Sequence, residues 1–98
     1  MKRFVITTER TSEEQDQAFY AILHARWPQM GWWHNISETW LLIDPTDTIT
    51  VDVLRDAAYE AFPGRCLIVI QVSADSTWAG MKRGNNFDWI EDEWSKYR

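Results

Sequence analysis

Residues 31–44 read GWWHNISETWLLID, and this stretch holds three of the seven tryptophans in a chain of 98 residues. The segments 32–36 and 39–43 have strand composition, and Ser37-Glu38 between them predicts a hairpin. If the turn has two residues, Ile36 pairs with Thr39 and both faces of the hairpin are apolar. One face then carries Trp32, Ile36, Leu41 and Ile43, and the other carries Trp33, Trp40 and Leu42. The sequence therefore predicts a sheet with two apolar faces.

Two further strands flank this hairpin in the sequence. Residues 3–8 (RFVITT) are rich in β-branched and aromatic side chains and predict the first strand. Residues 66–72 (CLIVIQV) form a continuous apolar run, which is typical of a strand covered on both sides. In that setting Cys66 is expected to be a small core residue rather than a nucleophile, which would need exposure and a lowered pKa.

Two helices are predicted between the strands. Residues 12–27 carry apolar side chains at helical spacing, and either Thr11 or Ser12 can cap this helix with a capping-box partner three residues on. Thr50 can cap a second helix that ends before Pro63-Gly64. Its apolar stripe comprises Leu54, Ala57, Ala58, Ala61 and Phe62.

The order of these elements is that of the ferredoxin-like βαββαβ motif. It predicts an α+β fold with a four-stranded antiparallel sheet and two helices on one face. We interpret residues 1–98 as a single domain, with a core over 1–73 and a C-terminal helical appendage over 74–98. The appendage has a short helix beginning near Asn86, with an apolar stripe made by Phe87, Ile90 and Trp94.

The face of the sheet away from the helices is expected to carry Trp33, Trp40 and Leu42. A sheet face that is exposed to solvent in a monomer is usually polar, whereas this one is apolar. We therefore expect either the appendage or a second subunit to cover it. The sequence therefore predicts a homodimer with these three residues at its interface.

Composition and charge narrow the classes of function. The formal net charge is −5, which disfavours nucleic acid as a partner because the phosphate backbone would be repelled. The single cysteine cannot form an intramolecular disulfide, and the first residues lack the apolar run of a signal peptide. No apolar run in the sequence reaches the roughly 20 residues that a membrane-spanning helix needs. We therefore expect a cytoplasmic protein with no membrane association.

Several segments together resemble the small SinR-like bacterial proteins. They are Gly31-Trp32-Trp33-His34, Thr39-Trp40-Leu41, Leu54-Arg55-Asp56, Trp78-Ala79-Gly80-Met81 and the terminal Trp94. These proteins are similar to the CRISPR-associated adaptation endoribonucleases and the VapD-type toxins, so the resemblance implies a ferredoxin-like homodimer. In the nuclease relatives an acidic residue after the first strand, commonly an Asp, holds a divalent metal with its symmetry mate. The corresponding segment here is Thr7-Thr8-Glu9-Arg10, so the resemblance assigns that place to Glu9.

Glu9 and His34 are the candidates for a catalytic role. A Glu9 carboxylate from each of two subunits could bind Mg²⁺, and the alternative is a solvated acid in the loop before a helix. His34 could act as a general acid or base, and the alternative is a packed structural histidine in an aromatic segment.

Two hypotheses follow. The first is a small acidic homodimeric module that binds another protein without catalysing a reaction, in a mobile-element or phage-defence setting, and that needs no cofactor. The alternative is a metal-dependent endoribonuclease or toxin that uses Glu9 and Mg²⁺. The missing aspartate and the negative charge both favour the first.

Overall fold

The computed structural model describes residues 1–73, 75, 77–80 and 88–94. Four strands form one antiparallel sheet in the order β2-β3-β1-β4. This order confirms the predicted α+β fold of ferredoxin-like type. The elements are β1 (Lys2–Thr8), α1 (Glu13–Arg26), β2 (Gly31–Ile36), β3 (Thr39–Asp44), α2 (Val51–Ala61), β4 (Leu67–Val72) and a short C-terminal helix (Ile90–Trp94).

Both long helices begin at the predicted caps. Ser12 and Gln15 form a reciprocal capping box, in which the backbone N–H of each residue donates to the side chain of the other, at 2.9 and 3.1 Å. The Thr50 hydroxyl accepts a hydrogen bond from the backbone N–H of Val53 at the start of α2. Local sequence signals therefore define where each helix starts.

The main core lies between the sheet and the two helices. Phe19 and Phe62 pack against Trp40, with ring centroids 4.9 and 6.4 Å away. The predicted stripe of α2 is buried in full, whereas Ala18, the first residue of the apolar stripe that the sequence predicts for α1, is exposed. The buried members of this core are Phe4, Ile6, Phe19, Leu23, Met30, Trp40, Leu42, Ile49, Leu54, Ala58, Ala61 and Phe62.

The register of the β2–β3 hairpin corrects the predicted face assignment. Ile36 pairs with Thr39 as expected, but an irregularity between Trp33 and Ile36 leaves Trp33 opposite Leu41. One extra residue in a strand moves the residues beyond it to the other face. The prediction that Trp33 shares a face with Trp40 and Leu42 is therefore wrong.

The pairing of β3 with β1 shows which face the helices cover. Trp40 lies opposite Ile6 and Leu42 opposite Phe4, and all four side chains are 0% exposed beneath the helices. The prediction that Trp40 and Leu42 face away from the helices is also wrong. They cannot contact a second chain without repacking of this core.

β4 differs from the predicted strand covered on both sides. It is an edge strand, so Leu67 and Val69 pack towards the helices while Ile68 and Ile70 are 55% and 47% exposed. Cys66 precedes the strand and is exposed, so the expectation of a core cysteine is wrong.

Asp44, at the end of β3, holds the loop that leads to α2. Its side chain is 1% exposed and accepts hydrogen bonds from the N–H and hydroxyl of Thr46 and from the N–H groups of Thr48 and Ile49. Burial raises the pKa of the Asp44 carboxyl, but the hydrogen bonds from the Thr46 side chain and the three N–H groups outweigh it and lower the pKa.

The Asp44→Asn variant is expected to lose about 2 kcal/mol of unfolding free energy at neutral pH, because the amide would present a donor to N–H groups. The lowered folded pKa means that the carboxylate stabilises the fold above its unfolded pKa of about 3.9. This stabilisation is lost as the pH falls through the folded pKa. Urea unfolding over a pH series should show the difference between wild type and variant shrinking below about pH 4. A difference that stays constant into acid would contradict this role.

Candidate interaction surface

The face of the sheet opposite the helices, here called the open face, consists of three rows of side chains that run across the four strands. Strand registers define each row, because alternate residues of a strand share a face. The rows are Gly31, Ile43, Arg3 and Val72; Trp33, Leu41, Val5 and Ile70; and Ile36, Thr39, Thr7 and Ile68.

The C-terminal part of the same chain covers the first row and much of the second. Ile90 and Trp94 are buried against Trp33 and Ile43. Packed around them are Val5, Leu41, Val72, Trp78 and Trp89. The prediction that Ile90 and Trp94 dock is therefore confirmed, and they dock within their own chain. Asn86 and Phe87, also named in that prediction, lie outside the described residues.

Gly31 allows the Trp89 indole to pack close to the backbone of β2. A Cβ atom at position 31 would lie 3.3 Å from Cζ2 of Trp89, closer than ordinary van der Waals contact. The missing side chain therefore lets the Trp89 indole lie against β2.

Arg3 anchors the C-terminal helix from the first row. Its side chain is 2% exposed, and its Nε donates to the backbone carbonyl of Trp94 at 2.9 Å. Its Nη2 atom has no hydrogen-bond partner in the described part of the chain. A hydrogen bond from a charged group contributes about 1.5 to 3 kcal/mol, so this contact helps to fix where the helix lies.

The third row and one end of the second remain uncovered by the described residues. Ile36, Ile68 and Ile70 are 52%, 55% and 47% exposed, and we call them with Thr7 and Thr39 the isoleucine strip. The strip contains no charged side chain; Ile68 and Ile70 lie on the edge strand β4, and Ile36 lies on β2 at the opposite edge of the sheet. The sequence predicted that alternate residues of the last strand lie on this face, but it also predicted that the strand is covered on both sides, whereas Ile68 and Ile70 are half exposed.

Glu9 directly follows β1 and contacts Cys66, the residue before β4. Its carboxylate accepts a hydrogen bond from the Cys66 N–H, and its own N–H donates to the Cys66 carbonyl at 2.9 Å. Across the described residues, no group of three or more His, Cys, Asp or Glu side chains could hold a metal ion. Glu9 therefore contacts the backbone of the neighbouring segment and is not grouped with other potential ligands among the described residues.

His34 joins the hairpin to α1. Its Nδ1 lies 2.9 Å from the Thr39 carbonyl oxygen, and its Nε2 lies 3.3 Å from Oδ2 of Asp16. The other carboxylate oxygen of Asp16, Oδ1, accepts a hydrogen bond from the Thr11 hydroxyl. The ring stacks on Trp40 with centroids 3.7 Å apart, and its side chain is 8% exposed. Both ring nitrogens thus face acceptor atoms of the protein, which favours the structural alternative for His34.

Tyr20 completes the aromatic group beside this histidine. Its ring lies 4.9 Å from the Trp40 ring and 4.6 Å from that of Trp32, by centroids. Burial raises the pKa of the Tyr20 phenol, and the negative charge of Asp16 raises it further. Trp32 remains 47% exposed at the β2 edge, so this cluster is a boundary of the core rather than an enclosed site.

The helices of the described residues are all too short or too polar to cross a membrane. A comparison of the chain with protein-family models, curated proteins and solved structures found no match. The isoleucine strip therefore stands as the candidate functional surface on its physical properties alone.

Proposed function

We propose that the protein is a small acidic homodimeric protein-interaction module without catalytic activity, and that two chains associate through the isoleucine strip and the outer edge of β4. One observation carries this proposal: Ile68 and Ile70 are each about half exposed on the edge strand β4, and the uncharged Thr7 and Thr39 continue this part of the open face towards the half-exposed Ile36 on β2. An exposed apolar edge strand is a template for pairing with another strand.

A second copy of the chain suits this surface for electrostatic reasons. Each chain has a net charge of −5, so two copies repel one another over most of their surfaces. The isoleucine strip has no charged residue, and contact there brings no like charges together directly. Two β4 strands related by a two-fold axis would pair antiparallel and extend the sheet across both subunits.

The energetic gain comes from apolar burial and from strand pairing. Burial contributes roughly 25 cal/mol per Å² of apolar surface, against the cost of association. The resemblance to the SinR-like proteins also implies a homodimer. The acidic surface of such a dimer would suit a basic protein partner, and the cytoplasmic, mobile-element or phage-defence setting belongs to the same proposal.

The combined Ile68→Lys and Ile70→Lys variant is expected to be monomeric, because four ammonium groups would meet across the two-fold axis. Light scattering coupled to size exclusion should give a two-chain mass for wild type and a one-chain mass for the variant. Val53→Lys is a matched control, because Val53 is 45% exposed but lies on α2. It should leave the two-chain mass unchanged.

Two results would overturn the proposal. A one-chain mass for wild type would show that the protein is a monomer and would contradict the proposed homodimer. An unchanged two-chain mass for the double variant would place the interface on another surface.

A further inference from the structure

We propose that the surface cavity between Arg10 and Arg65 binds the phosphate group of a small molecule. The cavity lies at the end of the β1–β4 ladder, where the Glu9 N–H donates to the Cys66 carbonyl at 2.9 Å. Arg10 and Arg65 are the next residues along the two segments. Both line the same cavity, of about 450 Å³, together with Thr11, Ser12 and Glu13.

The two arginines stand out because neither forms a direct ion pair within the described part of the chain, unlike Arg26 and Arg55. Arg26 pairs with Glu60 at 2.7 Å, and Arg55 pairs with Asp52 and Asp56 at 3.5 and 3.0 Å. Neither Arg10 nor Arg65 forms an ion pair or a side-chain hydrogen bond with a described residue, although the chain has fifteen acidic residues.

Two guanidinium groups that line one cavity can both donate hydrogen bonds to an anion that lies between them. The nearest acid in sequence, Glu9, directs its carboxylate to the backbone N–H of Cys66 instead. The N–H donors of both guanidinium groups therefore remain available to an external anion.

Phosphate is the anion that this arrangement favours. A guanidinium presents a planar fork of N–H donors that matches two phosphate oxygens, so two arginines can bind several oxygens of one group. Ser12 lines the cavity, and its hydroxyl accepts a hydrogen bond from the Gln15 N–H and still has one proton with which to donate to a phosphate oxygen. Glu13 also lines the cavity, and its carboxylate opposes anion binding.

A second cavity adjoins the first at Arg65 and offers space for the rest of a phosphorylated molecule. Its volume is about 490 Å³, and its lining includes Leu67 and the half-exposed ring of Tyr59. An exposed aromatic ring can stack on a flat ligand group. The shared chemistry is a phosphate group, and its two sources are free phosphate and a phosphate monoester such as a nucleoside monophosphate.

Amide NMR titrations of the full chain test the proposal, with inorganic phosphate and adenosine monophosphate as probes. Sodium chloride at equal ionic strength is the reference for general salt effects. Phosphate should cause saturable shifts at residues 10–13 and 65. Adenosine monophosphate binding more tightly, with added shifts at Tyr59, would identify a monoester as the ligand, whereas equal binding would identify free phosphate.

Variants distinguish phosphate binding in this cavity from general attraction of phosphate to arginines on the surface. Arg10→Gln with Arg65→Gln should weaken phosphate binding by about ten-fold or more, because charge-assisted hydrogen bonds are lost. Arg26→Gln, which removes an arginine elsewhere on the surface, should leave it unchanged, and Glu13→Gln should strengthen it. The absence of saturable shifts in wild type, or equal binding by the double variant, would overturn the proposal.

Discussion

The Trp40→Ala variant is expected to lose about 3 to 5 kcal/mol of unfolding free energy, the cost typical of removing a large buried aromatic side chain. Trp40 is 0% exposed and contacts Phe19 edge-on, while His34 stacks flat on its ring. The loss is a large fraction of the roughly 5 to 15 kcal/mol that stabilises a typical domain, so the variant should unfold at clearly lower denaturant concentrations. Urea unfolding followed by circular dichroism measures the difference.

Trp32→Ala provides the matched control. Trp32 lies on the neighbouring strand, but its side chain is 47% exposed and contacts only the boundary of the core. Its loss should cost clearly less, about 1 to 2 kcal/mol. Equal losses for the two variants would contradict the burial of Trp40 beneath the helices.

The Trp94→Ala variant is expected to lose about 3 kcal/mol, because it removes a buried indole from the cover of the open face. Trp94 is 7% exposed and packs with Trp33, Ile43 and Ile90. Its removal would weaken the docking of the C-terminal helix and expose apolar surface. Binding of an apolar fluorescent dye should increase together with the loss of stability in urea.

Trp94→Phe is the control, because phenylalanine keeps a ring in the same place. It should retain most of the stability and bind little additional dye. If Trp94→Ala instead matched wild type in both measurements, the C-terminal helix could not be a stabilising cover of the sheet.

The parts of the fold that depend on local signals were predictable from the sequence. The Ser12 capping box, the Thr50 cap and the Leu54 to Phe62 stripe are each encoded within a few residues. The helical spacing of Ile90 and Trp94 similarly predicted a buried stripe. Element order then led to the correct fold class.

The features that depend on distant contacts were not predictable in the same way. The extra residue between Trp33 and Ile36 carries no local signal, and it reversed the face assigned to Trp33 relative to Trp40. The contact between Arg3 and the Trp94 carbonyl joins residues 91 positions apart. A continuous apolar run in β4 indicates a strand but not whether that strand lies at an edge, so the exposure of Ile68 and Ile70 was missed.

A distance measurement between spin labels on Cys66 tests the proposed dimer most directly. Cys66 is the only cysteine, is exposed and immediately precedes β4, so each unaltered chain accepts one label next to the proposed interface. Antiparallel pairing of two β4 strands predicts a single label separation of roughly 15 to 30 Å, from a rise of about 3.4 Å per residue. Adding excess unlabelled chain should remove this signal by forming mixed dimers. The absence of any dipolar coupling in the fully labelled protein, or a separation far beyond that range, would contradict association through β4 and the isoleucine strip.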